Sequence, residues 1–289
     1  MEQLLLLQEA KISEILGGQV PPRLEASGVL AKDGVFYVIF DNLADIACLD
    51  GRLSPDSNEN RLIRQEHGHH RGFEDIAYDS SSQRYYVLIE SLPRRSGLFM
   101  AKVQEYDQEL NYRSDAWLDF TLPRPNKGLE GLTCIHRNGE TLLLGLCEGN
   151  KCKAGAEGRK PGGGRIQVFR HGQKHWDRVA KIRLPRTLLF EDYSSIAADG
   201  DRLAVVSQVN SALWIGRLAA TSWDIVDEGI TYTFPRNADS QVIYCNIEGV
   251  SWTDSNRIVV VSDKAKSKQE QLGREKDQSI HIFGIPGHS

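Results

Sequence analysis

Five glutamates return along this chain in similar company: Leu24-Glu25-Ala26-Ser27-Gly28-Val29, Phe73-Glu74-Asp75-Ile76, Leu129-Glu130-Gly131-Leu132, Phe190-Glu191-Asp192-Tyr193 and Ile247-Glu248-Gly249-Val250. Successive members lie 49, 56, 61 and 57 residues apart. A segment repeated at such a period marks one supersecondary unit copied around an axis or along a line. If the copies face one opening, their carboxylates gather there, and crowded like charges call for a cation or for hydrogen-bond donors. Carboxylates placed in this way can hold a divalent ion or take a proton from water.

A basic residue precedes each glutamate, in Pro22-Arg23, His70-Arg71, Pro123-Arg124, Pro185-Arg186 and Pro235-Arg236. Proline fixes the entry of the loop, and arginine presents a planar fork that fits a carboxylate or a phosphate. In the plainer reading each arginine clamps a glutamate and the ring is architectural. In the chemical reading spare carboxylates hold a cation while the bases hold an anionic substrate. The copies are not equal. Glu25 and Glu191 stand two residues earlier relative to their strands, with Ser27 and Ser194 in the matching places, so Glu74, Glu130 and Glu248 form the first-strand trio.

Alternation, β-branched content and turn residues divide each unit into four strands. In the third unit these are 131–136, 141–147, 165–170 and 176–184, and in the fourth 195–198, 202–207, 212–218 and 223–234. The fifth unit has three, 250–252, 257–262 and 279–285, while a strand-like run at 4–12 precedes the first unit. The expected fold is therefore all-β: a β-propeller of five four-stranded blades forming a single domain over residues 1–289, closed by the N-terminal strand joining the last blade. Six blades is the competing count. Radial packing of this kind hides sheet edges.

In a propeller the start of each first strand and the end of each second strand open on one face. Asp41, Glu90, Glu148, Gln208 and Asp263 end the second strands and should join the glutamates there. Three loops are expected on the same rim: Glu148 to Gly164, with Lys151, Lys153, Arg159 and Lys160; Asp263 to Gln278; and Leu92 to Gly97, with Arg94 and Arg95. The first lacks the residue order of a phosphate-binding P-loop. His69 and His70, just ahead of Glu74, are expected at the mouth either as a solvated loop or as ligands. No GxSxG or catalytic-cysteine setting is present.

A net charge of −4 gives no general attraction to nucleic acid or to an anionic membrane. The opening residues have neither the length nor the flanks of a signal peptide or a membrane span, so a cytoplasmic protein is expected. Five cysteines without a CxxC pair are expected to be reduced thiols serving as small buried hydrophobes.

The Phe/Ile/Leu-Glu-Gly/Asp-Ile/Leu/Val segments, with strand ends such as Leu88-Ile89-Glu90-Ser91 and Val260-Val261-Ser262-Asp263, resemble the phytase-like, esterase-like and SdiA-regulated β-propellers. Leu129 to Thr133 with Leu142 to Glu148 also resembles the bacterial domain of unknown function numbered 3616. The resemblance implies a site at the propeller mouth and calcium as a cofactor, since those relatives include calcium-dependent phosphohydrolases. It carries over no assigned catalytic residue.

The combined expectation is a small anionic ligand bound at the mouth through calcium or another divalent cation, with hydrolysis of a phosphate ester or related ester as the candidate reaction. Glu74, Glu130, Glu148, Glu248 and Asp263 are the expected metal ligands, with Glu130 and Glu248 as the catalytic carboxylates. Arg71, Arg124, Lys127, Arg186 and Lys264 are the expected substrate-binding cations. The alternative is a non-catalytic scaffold whose rim holds a protein partner.

Overall fold

The structure is a computed structural model that describes residues 2–17, 20–21, 23–94, 97–122, 124, 128–264 and 271–287. Its strands run in chain order through antiparallel meanders. The first is β3 (Ala26–Lys32), β4 (Val35–Phe40), β5 (Leu43–Asp50) and β6 (Arg61–Ile63), preceded by β1 (Glu2–Gln3) and β2 (Leu5–Lys11). The second is β7 (Phe73–Asp79), β8 (Arg84–Pro93), β9 (Phe99–Tyr106) and β10 (Tyr112–Leu118). The third is β11 (Leu129–Arg137), β12 (Glu140–Cys147), β13 (Arg165–His171) and β14 (His175–Arg183). β15 (Ser195–Asp199), β16 (Arg202–Ser207), β17 (Ala212–Arg217) and β18 (Ile230–Thr233) make the fourth. β19 (Ile247–Asp254), β20 (Arg257–Ser262) and β21 (Ser279–Gly284) complete the series. A short parallel pairing of β10 with β14 fuses the second and third meanders into one hydrogen-bonded sheet.

The first strands pack in a cycle: β3 on β7, β7 on β11, β11 on β15, β15 on β19, and β19 back on β3. Between each neighbouring pair of meanders lies one apolar layer. The layer between the third and fourth holds Leu144, Ile166, Val168, Val205 and Trp214, and the one between the last and the first holds Val29, Val38, Val259 and Val261. Strands such as Val259-Val260-Val261 are thus buried on both faces, which explains their unbroken apolar runs. Among the described residues no helix is long and apolar enough to cross a membrane.

The N-terminal run completes the last meander. β2 pairs antiparallel with β21 from Leu5 opposite Gly284 to Lys11 opposite Ser279, while β1 pairs parallel with β18. Leu4, between these two strands, is buried among Tyr232, Phe234, Tyr244 and Phe283. The fourth strand of the fourth unit is shorter than the sequence suggests, 230–233 instead of 223–234. The indole N–H of Trp214 donates to the Glu228 carbonyl at 2.9 Å and Gly229 takes a φ of 66°, which turns the chain before the strand begins.

A buried polar clasp ties β2 to the neighbouring strands. His281, fully buried on β21, pairs its Nε2 with Ser262 Oγ at 2.8 Å and its Nδ1 with Glu9 Oε2 at 3.0 Å. Tyr244 OH donates to Glu9 at 3.3 Å and Lys276 forms an ion pair with it. The hydrogen bond from His281 and the Lys276 charge outweigh burial and hold the Glu9 carboxyl down at about 2. A depressed carboxylate stabilises the fold above its ordinary pKa of 4.5, and that stabilisation is lost as pH falls towards 2. Glu9→Gln is expected to cost about 1–2 kcal/mol at pH 7, less the screening of a partly exposed group, and to flatten the stability profile between pH 5 and 2. Urea denaturation at stepped pH measures both effects.

At the axis the inner strands approach too closely for most side chains. A Cβ on Gly28 would lie 2.9 Å from Asp75 Cα, and one on Gly249 would lie 2.9 Å from Gly28 Cα. One on Gly131 would lie 2.9 Å from the Ile196 nitrogen. Asp75 and Ser195 are the equivalent residues of β7 and β15. Asp75 is 1% exposed and accepts from Ile76 N, Leu132 N and Ser195 Oγ, each at 2.9 Å. Ser195 Oγ in turn accepts from Val250 N at 3.1 Å. Asp75→Ala strands these donors in a dry interior and is expected to cost at least about 3 kcal/mol in a denaturation experiment.

Candidate functional site

The mouth is built by irregularities at the starts of the first strands. In β3, β11 and β19 one extra residue bulges out of the ladder, Ser27, Glu130 and Glu248 respectively. In β7 the irregularity spans Glu74 and Asp75. Ser194, whose N–H donates to the Val206 carbonyl also opposite Ser195, takes the same place beside β15. A bulge re-aims side chains at a sheet rim. Here it puts Ser27, Glu74, Glu130, Ser194 and Glu248 at one level of the ring, the register expected from the sequence.

The second-strand acids are fixed by one repeated bond. Asp41, Glu90, Glu148 and Asp263 each donate their backbone N–H to the carbonyl two residues before the bulge position, on Glu25, Gly72, Gly128 and Asn246, at 2.8–3.0 Å. The fourth meander carries an amide there instead. Gln208 Nε2 donates to Glu248 Oε1 at 2.5 Å, so this substitution supplies a donor to the acid ring.

The electrostatics are those of an overcrowded carboxylate cluster. Glu74 is pushed well above the usual carboxylate range by burial, then by Glu130, with which it shares a hydrogen bond, and by Asp41 and Glu248. Carboxyl groups crowded in this way resist ionising together. Burial also raises Asp41 and Glu90, with Arg71 pulling both back. Asp192 is raised by burial and by Glu148, although Ser207 Oγ donates to it at 2.5 Å. Ser27, 7% exposed at the bulge level, has a side-chain oxygen with no hydrogen-bond partner.

Of the cations expected from the sequence, Arg71 is within electrostatic reach of the acids, and Arg23 forms an ion pair with Glu25. Arg124 is exposed and its carbonyl accepts from Ser91 Oγ at 3.1 Å. Arg186 is exposed, with its backbone close against Gly162. Lys264 holds the mouth through its backbone: its N–H donates to Asp263 Oδ1 at 2.5 Å and its carbonyl accepts from Asn246. Lys127, Arg95 and residues 265–270 lie outside the described residues. His69 sits near Lys102 and Asp115, towards the outer strands of the second meander, and burial lowers its pKa.

Among the described residues, no three acids of the mouth bring their oxygens within 4.8 Å of one another. Asp119, His175 and Asp177 do so at the seam between β10 and β14. Sequence spacing carries no signal for that set, because its members come from two different units.

Beside the mouth, a cavity of about 250 Å³ opens between the third and fourth meanders, lined by Glu148, Glu191, Asp192 and Gln208 and, on the loop side, by Lys153 and Arg159. Asn150 organises that loop from within. Its Nδ2 donates to the carbonyls of Gly158 and Phe190 at 3.0 Å, and its Oδ1 accepts from Gly163 N and Tyr193 OH at 2.8 and 3.0 Å. Cys147 and Cys152 form a disulfide, which overturns the expectation of reduced thiols for this pair. The turn through Gly149 and Asn150 brings their Cα atoms to 5.2 Å, within bonding reach. Thiol titration of the denatured, unreduced protein should find the other three cysteines, Cys48, Cys134 and Cys245. Cys152→Ser is expected to lower stability by about 2 kcal/mol, the loop-closure term for so short a loop.

No protein-family model matches the chain, and no curated protein matches it by sequence. Solved structures do match in shape. The glutaminyl cyclase of Myxococcus xanthus is 12% identical over 98% of this chain and 97% of its own, with a TM-score of 0.54. The GH43_1 enzyme of Xanthomonas citri, complexed with xylotriose, is 9% identical over 95% and 89%, at 0.53. The calcium-binding protein regucalcin of Agrobacterium tumefaciens is 10% identical over 99% and 96%, at 0.50. Such likeness defines the fold, and the chain is a β-propeller.

Proposed function

We propose that this chain is a five-bladed propeller that binds a divalent cation at its carboxylate mouth, and through it a small anionic ligand, with hydrolysis of a phosphate or related ester as its chemistry. The observation that carries this reading is the unpartnered hydroxyl of Ser27, buried at the level of Glu74, Glu130 and Glu248, where acids are already pushed out of their ordinary range. A half-buried ring of oxygens with surplus negative charge favours a cation. An all-oxygen set suits calcium, magnesium or manganese better than zinc.

Ser27, Glu74, Glu130 and Glu248 would hold the ion, with Glu148 and Asp263 further out on the rim. The mouth acids are spaced too widely for three of them to ligate tightly at once, which fits a site completed by water or by the ligand's own oxygens. When bound, the ion would neutralise the ring and acidify a water molecule. With the ion's charge holding the ring acids ionised, Glu130 would be the carboxylate placed to accept a proton from that water, and Arg71 would offset charge on the ligand. The calcium bound by the similarly folded regucalcin is compatible with this reading. The Cys147–Cys152 disulfide supports an oxidising compartment over the cytoplasm expected from the sequence.

Glu74→Gln separates this reading from a purely architectural ring. It removes a carboxyl whose ionisation the crowded cluster opposes, a cost to folding at neutral pH, so the ion-free protein should become more stable while its response to ions is lost. Calcium, magnesium and manganese are screened by thermal shift, where a saturating specific ion at 100 times its Kd should stabilise the parent by about 2.7 kcal/mol. No shift with any ion, together with a Glu74→Gln protein that is simply less stable, would mean that the acids clamp blades and that the rim serves as a protein-binding scaffold.

A further inference from the structure

The side cavity between the third and fourth meanders has no part in holding an ion at the bulge ring, and its two walls carry opposite charge. One wall carries the exposed Glu191 and the half-buried Asp192. The other carries Lys153 and Arg159, both exposed. Neither cation has a carboxylate within ion-pairing distance among the described residues, whereas Lys160, one residue on, is paired with Glu157. Two cations on one wall of a small cavity, neither held in such a bridge, offer an anion a place to dock where the wall is fixed.

This wall is fixed. The disulfide closes the turn immediately before Lys153, and Lys153 N donates to the Asn150 carbonyl at 3.1 Å. Arg159 N donates to the Gly155 carbonyl at 3.2 Å, and the buried Asn150 side chain fastens Gly158 to the fourth meander at Phe190. The backbone is packed so tightly that Gly149 and Gly158 leave no room for a side chain against Lys153. Cations held on a braced loop lose less freedom on binding an anion than cations on a free one. Glu148 belongs both to the rim of the mouth and to this cavity, so the two spaces are continuous.

We infer that Lys153 and Arg159 form the subsite for the phosphate group of a small phosphate ester, with the rest of the ligand reaching past Glu148 towards the axial ring. The volume, about 250 Å³, takes a phosphate and a few carbon atoms, below the usual range for larger metabolites. A guanidinium and an ammonium together match a dianionic oxygen set better than two lysines would. The assignment rests on the mouth being a ligand site, but it names different residues and is read by a different probe.

Inorganic phosphate and phenyl phosphate are titrated calorimetrically into the full chain, the Lys153→Ala and Arg159→Ala variants and their double, with and without calcium. Both side chains are exposed, so melting temperatures should stay at the parent value. Each single variant should weaken phosphate binding at least tenfold, Arg159→Lys should recover part of it, and any calcium-induced thermal shift should be unchanged. Loss of phosphate binding in the variants of a protein that shows no calcium response would sustain the subsite while removing the cation at the ring. Equal phosphate binding by the parent and the double variant, or none by the parent at millimolar concentration, would overturn the assignment.

Discussion

The contact on which the structure turns is the buried carboxyl of Asp75. Glycines at 28, 131 and 249 let the inner strands come so close at the axis that almost no side chain fits between them. One acid then links three inner strands: it sits on β7, accepts the Leu132 N–H from β11 and accepts a hydrogen bond from Ser195 Oγ on β15, while Ser195 passes the connection to β19 at Val250. Burial pushes this carboxyl well above its usual range, and the converging donors pull it back. The axis is therefore closed by hydrogen bonds at this level, and the mouth lies above it.

What lies above is set by register. Bulges at the strand starts and a repeated backbone bond from the second-strand ends fix two tiers of acids around the opening. Alternation with period two would send neighbouring residues to opposite faces, and the added residue breaks that rule where the acids sit. Deviations from the repeat give the rim its character. Serines replace two glutamates, Gln208 gives a hydrogen bond where others carry charge, and a disulfide-closed loop sets two cations beside one sector only.

Much of this was legible in the sequence. The strands of the third unit lie within one or two residues of their expected limits, and the alignment of Ser27 and Ser194 with Glu74, Glu130 and Glu248 follows from counting back from each strand. The fate of individual acids was harder to read. Phe73-Glu74-Asp75 and Phe190-Glu191-Asp192 look alike, yet Asp75 pins the axis and Asp192 lines the side cavity, because the second segment enters its strand later. His69 stands before a glutamate in sequence but is carried outward by its loop, and local spacing holds no information about that direction. The disulfide was missed for the same reason, since it depends on how tightly the chain turns at Gly149 and Asn150.

The pairing of β2 with β21 joins residues at opposite ends of the described chain, from Leu5 with Gly284 to Lys11 with Ser279, and β1 reaches across to the neighbouring sheet. Contacts of such sequence separation are slow to form, because the intervening chain must be ordered before they yield any stabilisation. During synthesis β2 has no partner until β21 has left the ribosome, so the place it fills beside that strand waits as an open seam. Closure of the ring by β2 thus has to wait for β21, and a chain not yet closed offers that edge to the same strand of a second molecule.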